Sequence, residues 1–345
     1  MAKHRANDIR HAILRHVFWG DRSPVVAVAA EFGVTRQAVN AHLRALVAGK
    51  SLRAAGRAPH RRYTLANRRQ KQAGYALAGL TEDRVWSDFK RHFDALSQDE
   101  TDICHYGFTE IVNNAIEHSR GDRLTLRVRH TAVSVEINVA DDGVGIFQKV
   151  ASALGLTDPR ESVIELAKGK LTTDPAHHTG EGVFFTSRIF DRFALGSENI
   201  RLVRLDQGDQ WRTETESRAT RGTLVTMSLL LPAGRTLEKV FSAFSSGPED
   251  YEFARTLVPL KLAALGEDAL ISRSQARRIL QRVDRFREVA LDFAGIRTIG
   301  QGFADEIFRV FANAHPHVRL TPLHANEQVH AMIRRASKNT GPAGR

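Results

Sequence analysis

Apolar positions along this chain switch between two periods, and the switches mark out its elements. NDIRHAILRHVFWG sets Ile9, Ile13, Val17 and Phe18 on one helical stripe. SPVVAVAAEFGV comes next, with Ser23 as N-cap, Pro24 in the first turn and Gly33 as the stop. TRQAVNAHLRALVAGK opens on Thr35 and turns Val39, Leu43 and Leu46 inward. SLRAAGRAPHRRYTLA then alternates and bends around Gly56 and Pro59, so residues 1–65 predict three helices and a hairpin. Residues 66–98 are polar, with Trp86, Phe89, Phe93 and Leu96 at helical spacing, and predict a helical linker whose second half docks on the next unit.

Residues 99–235 form that unit. A helix carries GFTEIVNNAIEHS, and RLTLRVRH and AVSVEINVADDG alternate as strands. A helical region lies near 150–169, and a second helix, VFFTSRIFDRF, comes after the polar loop GKLTTDPAHHTGEG. Further strands lie at IRLVRL, DQWRTETE and GTLVTMSLLLP. Residues 250–337 alternate strand and helix, which argues for a small, separate α/β unit with a largely parallel sheet. The tail, residues 338–345, reads as disordered. The fold class expected is a multi-domain α+β protein.

Charge sharpens this picture because it is uneven. Of a net charge of +11 over 345 residues, residues 1–72 hold fifteen Lys and Arg against Asp8, Asp21 and Glu31. The whole positive excess therefore sits in the first fifth of the chain, which points to a polyanion as the partner of that module. No apolar run approaches the roughly 18–20 residues a membrane span needs. The single Cys104 suits a reducing compartment, so a cytoplasmic protein with no membrane partner is expected.

Three separated stretches carry chemistry suited to ATP. Glu110 and Asn114 are four apart on one helix face; Asp141, Gly143 and Gly145 end a buried strand; Gly180 and Gly182 precede a helix. A carboxylate at a strand end accepts from an adenine amino group, and glycines let backbone approach a flat ring. A Gly-rich turn into a helix offers N–H groups to phosphates, and an Asn oxygen suits Mg²⁺. Glu110 is placed to activate water or a hydroxyl. Taken singly each is ordinary: a Glu/Asn face is a common solvated helix, and D-x-G-x-G is a common turn. His177 and His178 have no Cys or carboxylate cluster to complete a metal site.

In order and spacing these stretches resemble the ATP-binding fold of gyrase, the heat-shock chaperone, histidine kinases and the MutL repair protein, the GHKL group with its Bergerat-type α/β sandwich. EIVNNAIEH resembles the N box, DDGVGIF and HTGEGVFFTSRIF the two glycine boxes, and RGTLVTMSLLLP the final strand. The resemblance implies that Asn114 ligates Mg²⁺, that Asp141 reads adenine with Thr223 sharing its water, and that Thr179, Gly180, Gly182 and Val183 cap the triphosphate. Residues 146–179 would be a mobile lid. Glu110, rather than the Asn common in histidine kinases, is similar to the catalytic base of anti-sigma serine/threonine kinases, gyrase and MutL.

Two further resemblances flank it. GVTRQAVNAHLRAL is similar to the helix-turn-helix of bacterial winged-helix repressors. This implies that Arg36, Gln37, Asn40, His42 and Arg44 face DNA bases, with Arg53, Arg57, Arg61 and Arg62 holding phosphates. A winged helix used for protein contacts is the alternative. SRSQARRILQRVDRF mimics a recognition helix but reads as ordinary amphipathic surface. EVALDFAGIRTIGQGFADEIFRVF resembles the STAS domain, yet Gly300, Gln301 and Gly302 stand where an acceptor serine is expected, so a STAS-like binding or regulatory module is implied, with a protein partner.

The sequence thus predicts an ATP- and Mg²⁺-binding transcription regulator that binds double-stranded DNA as a homodimer. The alternatives are a serine/threonine kinase acting on a separate STAS protein and a MutL-like ATP clamp on DNA.

Overall fold

The computed structural model of the chain describes residues 2–21, 23–57, 61–171, 180–247, 250–264 and 269–338. It opens with α1 (Ala2–Trp19), α2 (Pro24–Phe32) and α3 (Arg36–Ala48), followed by β1 (Leu52–Ala55) and β2 (Arg62–Leu65). Local signals set the helix ends: Gly33 closes α2 at φ 61, and the Thr35 side chain accepts from Ala38 N at the start of α3. Ile9, Ile13, Val28, Val39, Leu43 and Leu46 form the centre of this unit, and Val133 and Leu230 from the next unit complete it.

The expectation of a helical linker over 66–98 is corrected in its first half. Residues Arg69–Ala76 are a strand, β3, paired antiparallel with β4 (Arg123–His130). An edge strand with one packed face needs little apolar content. Only Lys71, Ala73 and Tyr75 are half-buried, while Gln70, Gln72 and Gly74 are exposed, so RQKQAGYA gives no hydrophobic signal. The second half is helical as expected, at α4 (Glu82–Phe89). Trp86 stacks on Phe93 at 5.0 Å and meets Phe108 of α5 (Gln98–His118) edge-on at 5.1 Å.

A capping box of Ser97 and Glu100 starts α5, and Glu100 also accepts from Ala233 N at 3.0 Å. β5 (Ser134–Asp141), α6 (Ile146–Leu154), α7 (Ser162–Lys168), α8 (Gly182–Ile189), β6 (Arg192–Leu205) and β7 (Gln210–Leu230) complete this unit, whose antiparallel sheet runs β3-β4-β5-β7-β6. Leu124, Leu126, Val128, Val135, Ile137 and Val139 face α5 from the sheet. Three points differ from the sequence reading: α8 stops at Ile189, Arg192–Phe193 begin β6 instead of extending the helix, and the strands expected at DQWRTETE and GTLVTMSLLLP are one strand, β7.

The chain continues through α9 (Leu237–Phe244), β8 (Ser245–Gly247), β9 (Asp250–Phe253), β10 (Arg255–Pro259), β11 (Ala269–Leu270), α10 (Arg273–Leu280), β12 (Glu288–Asp292) and β13 (Thr298–Ile299). α11 (Gln301–Asp305) then runs through a π-helical stretch into α12 (Ala312–Ala314), followed by β14 (Arg319–Leu323) and α13 (Glu327–Lys338). The sheet β10-β12-β14 is parallel, as the alternation predicts. Its separateness is not as predicted: the buried core of this unit is continuous with that around α5, with Phe253 meeting Phe184 at 4.4 Å and Phe185 at 5.1 Å. The predicted disordered tail lies, beyond Lys338, outside the described residues. Among the described residues no helix is long and apolar enough to cross a membrane.

Candidate functional site

A cavity of about 320 Å³ opens between α5, the end of β5, the middle of β7, and the starts of α6 and α8. Glu110, Asn114 and His118 line it from α5, each one turn from the last. Asp141, Gly145, Gly180, Gly182, Val183 and Thr223 join them, with Ile111, Val139, Leu166, Leu195 and Val225 as apolar lining. Pieces separated by more than a hundred residues in sequence therefore share one wall-to-wall space.

The Asp141–Asp142 pair divides its work. Asp142 Oδ1 accepts from the backbone N–H groups of Asp122 and Arg123, both at 2.9 Å, and ties the start of β4 to the end of β5. Asp141 faces the cavity, and its Oδ1 accepts from Gly143 N at 2.9 Å and Thr223 N at 3.2 Å. Burial raises the Asp141 pKa above the usual carboxylate range, against the lowering effect of those N–H groups. Thr223 Oγ1 accepts from Ile146 N at 3.1 Å, so β7 and α6 are pinned beside the same carboxylate.

The glycines here are demanded by contact. Gly145 stands before α6 at φ 89, where a Cβ would collide with Ser197 Oγ, itself a buried hydroxyl with no hydrogen-bond partner among the described residues. Gly222, at φ 74, presses against the backbone of Asp141. A Cβ on Gly182 would strike the Glu110 carboxylate, which places that carboxylate at the mouth of α8.

Not every predicted residue lies where expected. Gly143 does not line the cavity; it packs against the Ser119 carbonyl and so lets the β5–α6 turn close on the end of α5. Thr179, with His177 and His178, lies outside the described residues. The predicted mobile lid, 146–179, is helical over Ile146–Leu154 and Ser162–Lys168, and every residue of α7 is buried. Sequence reasoning missed Lys149, Glu181 and the role of His118 as lining. Helical spacing carries a signal for two of them: His118 lies four beyond Asn114, and Lys149 four beyond Gly145. Among the described residues no cluster of three metal-binding side chains exists, so a metal here would take most of its ligands from phosphate oxygens and water.

In the N-terminal unit Arg36, Gln37, Asn40 and Arg44 are exposed on α3, opposite buried Val39, Leu43 and Leu46, while His42 is half-buried. Arg53, Arg57, Arg61 and Arg62 are exposed on the hairpin. In the C-terminal unit Gly300 begins α11, and a Cβ there would strike the Ile271 carbonyl, so packing accounts for glycine at that loop.

Comparison with known proteins fits this layout. Residues 82–227 match the family model of the histidine kinase-like ATPase domain, a match that takes in α4 and begins within the expected linker. Residues 275–330 match the model of a STAS-like domain of unknown function. No curated protein matches the chain. The chain thus carries a histidine kinase-like ATPase domain at residues 82–227 and a STAS-like domain at residues 275–330.

Proposed function

We propose that the chain is an ATP-responsive, DNA-binding transcription regulator of the cytoplasm. The observation that carries the nucleotide half is the convergence of Glu110, Asn114, Asp141, Gly182 and Thr223 on one cavity. The fit to Mg-ATP is tested by three features: a desolvated carboxylate, held by two backbone N–H groups, to accept from the adenine amino group; an Asn oxygen for the metal; and glycines at which a Cβ would strike Ser197, the Asp141 backbone or the Glu110 carboxylate. When bound, the nucleotide supplies the phosphoanhydride and the charge to be sensed. Glu110, beside the α8 N-terminus, is the residue proposed to hold a water or hydroxyl proton.

The DNA half rests on charge and exposure. An Arg-rich hairpin and a helix presenting Arg36, Gln37, Asn40 and Arg44 form the basic fifth of the chain. The two strands that carry Asp141 and Thr223 run on to Val133 and Leu230 beneath this unit, so a rearrangement at the cavity has a stiff route to α3. In a homodimer that route would change the spacing of two α3 helices.

Duplexes enriched from a random pool provide the test, with affinity measured by anisotropy at one fixed salt with Mg-ATP, Mg-ADP and no nucleotide. The proposal expects affinities differing by about fivefold or more between states. Equal affinities would remove the switch, and recovery of no duplex would remove the DNA partner.

The position of Glu110 in the cavity also supports a second reading, phosphoryl transfer to the hydroxyl of a separate STAS-type partner. Labelled phosphate moving from ATP to such a partner, and lost in Glu110→Ala, would select it.

A further inference from the structure

Among the described residues lining the cavity, Lys149 is the one Lys or Arg, against the carboxyl groups of Glu110, Asp141 and Glu181. It belongs to α6, one turn after Ile146, which is tied to Thr223 at the base-binding end. Its ammonium donates to the carbonyl of His118, near the end of α5, at 2.9 Å. Burial lowers its pKa, and nearby Arg120 adds to the effect, so the ammonium is short of water and of compensating charge.

Position along α5 says what this cation meets. Glu110 abuts Gly182 at one end of the cavity, and His118 lies eight residues on, about 12 Å along the helix at 1.5 Å per residue. A triphosphate chain covers about half of that span, so a nucleotide whose terminal phosphate sits at Glu110 and Gly182 brings its ribose-proximal phosphate near Asn114, one turn short of His118 and toward the Lys149 ammonium. Resting on the nucleotide reading above, we propose that Lys149 is the specificity-determining cation of the site, moving its ammonium from the His118 carbonyl to the phosphate nearest the ribose. It thereby distinguishes a nucleotide from a nucleoside. Exchanging a neutral acceptor for an anionic one in a partly dry cavity strengthens the hydrogen bond.

Calorimetric titration of the full chain with Mg-ATP, Mg-ADP and adenosine tests this in wild type, Lys149→Met and Lys149→Arg, alongside thermal melts. Lys149→Met should weaken ATP and ADP alike, by about tenfold or more, and leave adenosine unchanged; Lys149→Arg should recover most of the loss. Equal weakening of all three ligands would mean that Lys149 only caps α5, and would overturn the inference, as would unchanged ATP binding in Lys149→Met. Wild type that binds adenosine but gains nothing from phosphates would likewise overturn it while sparing the base pocket. Failure of wild type to bind any of the three would instead remove the nucleotide reading.

Discussion

Asp141 shows how a single group joins fold and ligand with opposite pH slopes. Its pKa is raised in the fold, so its contribution to stability is full below the unfolded pKa and is lost as pH rises through the folded one. An adenine amino group needs the ionised form, so binding should weaken as pH falls through that raised pKa, at a higher pH than an ordinary carboxylate would set. Titrations across pH 7 to pH 4 in buffers of different ionisation enthalpy check this, with proton release on binding expected in acid. Asp141→Asn should cost ATP and adenosine alike about ten- to a hundredfold in affinity, the worth of a hydrogen bond to a charged group. Of the two adjacent aspartates, Asp141 is the one that lines the cavity, because the backbone of Asp122 and Arg123 claims Asp142.

Elements meet most closely at the glycines, and two substitutions separate stability from chemistry. At Gly143 an added methyl meets the Ser119 carbonyl, backbone against backbone, with no flexible atom to yield. Gly143→Ala should destabilise the fold by about 1–3 kcal/mol, read as a lower denaturation midpoint. At Gly182 the obstructing atom is the end of the Glu110 side chain, which can turn away. Gly182→Ala should leave the melt nearly unchanged while displacing Glu110 and lowering whatever ATP turnover the protein has. The start of α3 at Thr35 was legible from sequence, because an N-cap and the N–H it accepts from lie three residues apart. Strand β3 was not, because its partner lies on β4, dozens of residues away, and only one of its faces is packed.

Across the whole molecule, α7 joins the cavity to the STAS-like domain. Lys168 is 1% exposed; its ammonium donates to Glu165 at 2.5 Å and to the carbonyls of Ile279 at 3.2 Å and Gln281 at 2.9 Å, at the end of α10. Arg282 pairs with the second oxygen of Glu165 at 3.0 Å, and Arg278 with Glu161. Thr256 on β10 donates to the Lys168 carbonyl at 2.6 Å. Leu166 and Leu171, on either side of Lys168, line the cavity, so the cavity wall and this junction share one short segment of chain. Desolvation lowers the Lys168 pKa, and Glu165 opposes the shift. Lys168→Met should cost about 3–5 kcal/mol by leaving Glu165 short of a buried partner. Adding Glu165→Gln should recover part of the loss. Scanning calorimetry should show one transition for the wild type and separate transitions for Lys168→Met if the junction is what makes the two units melt together.

Sequence by itself determined the helices and strands with strong period, the cap at Thr35 and the stop at Gly33, though not a capping bond from Ser23, together with the order of the motifs that line the cavity and the basic N-terminal fifth. These are encoded in residues two to four apart or in composition, and they need no partner from elsewhere in the chain. Tertiary structure decided that the motifs share one cavity, that Lys149 lines it, that β3 forms an edge of the sheet and that α7 is sealed against the end of α10. Each of those depends on pairings such as Ile146 with Thr223, 77 residues apart, or Lys168 with Gln281, 113 apart. Local periodicity records which face of an element is buried; it carries no record of what buries it.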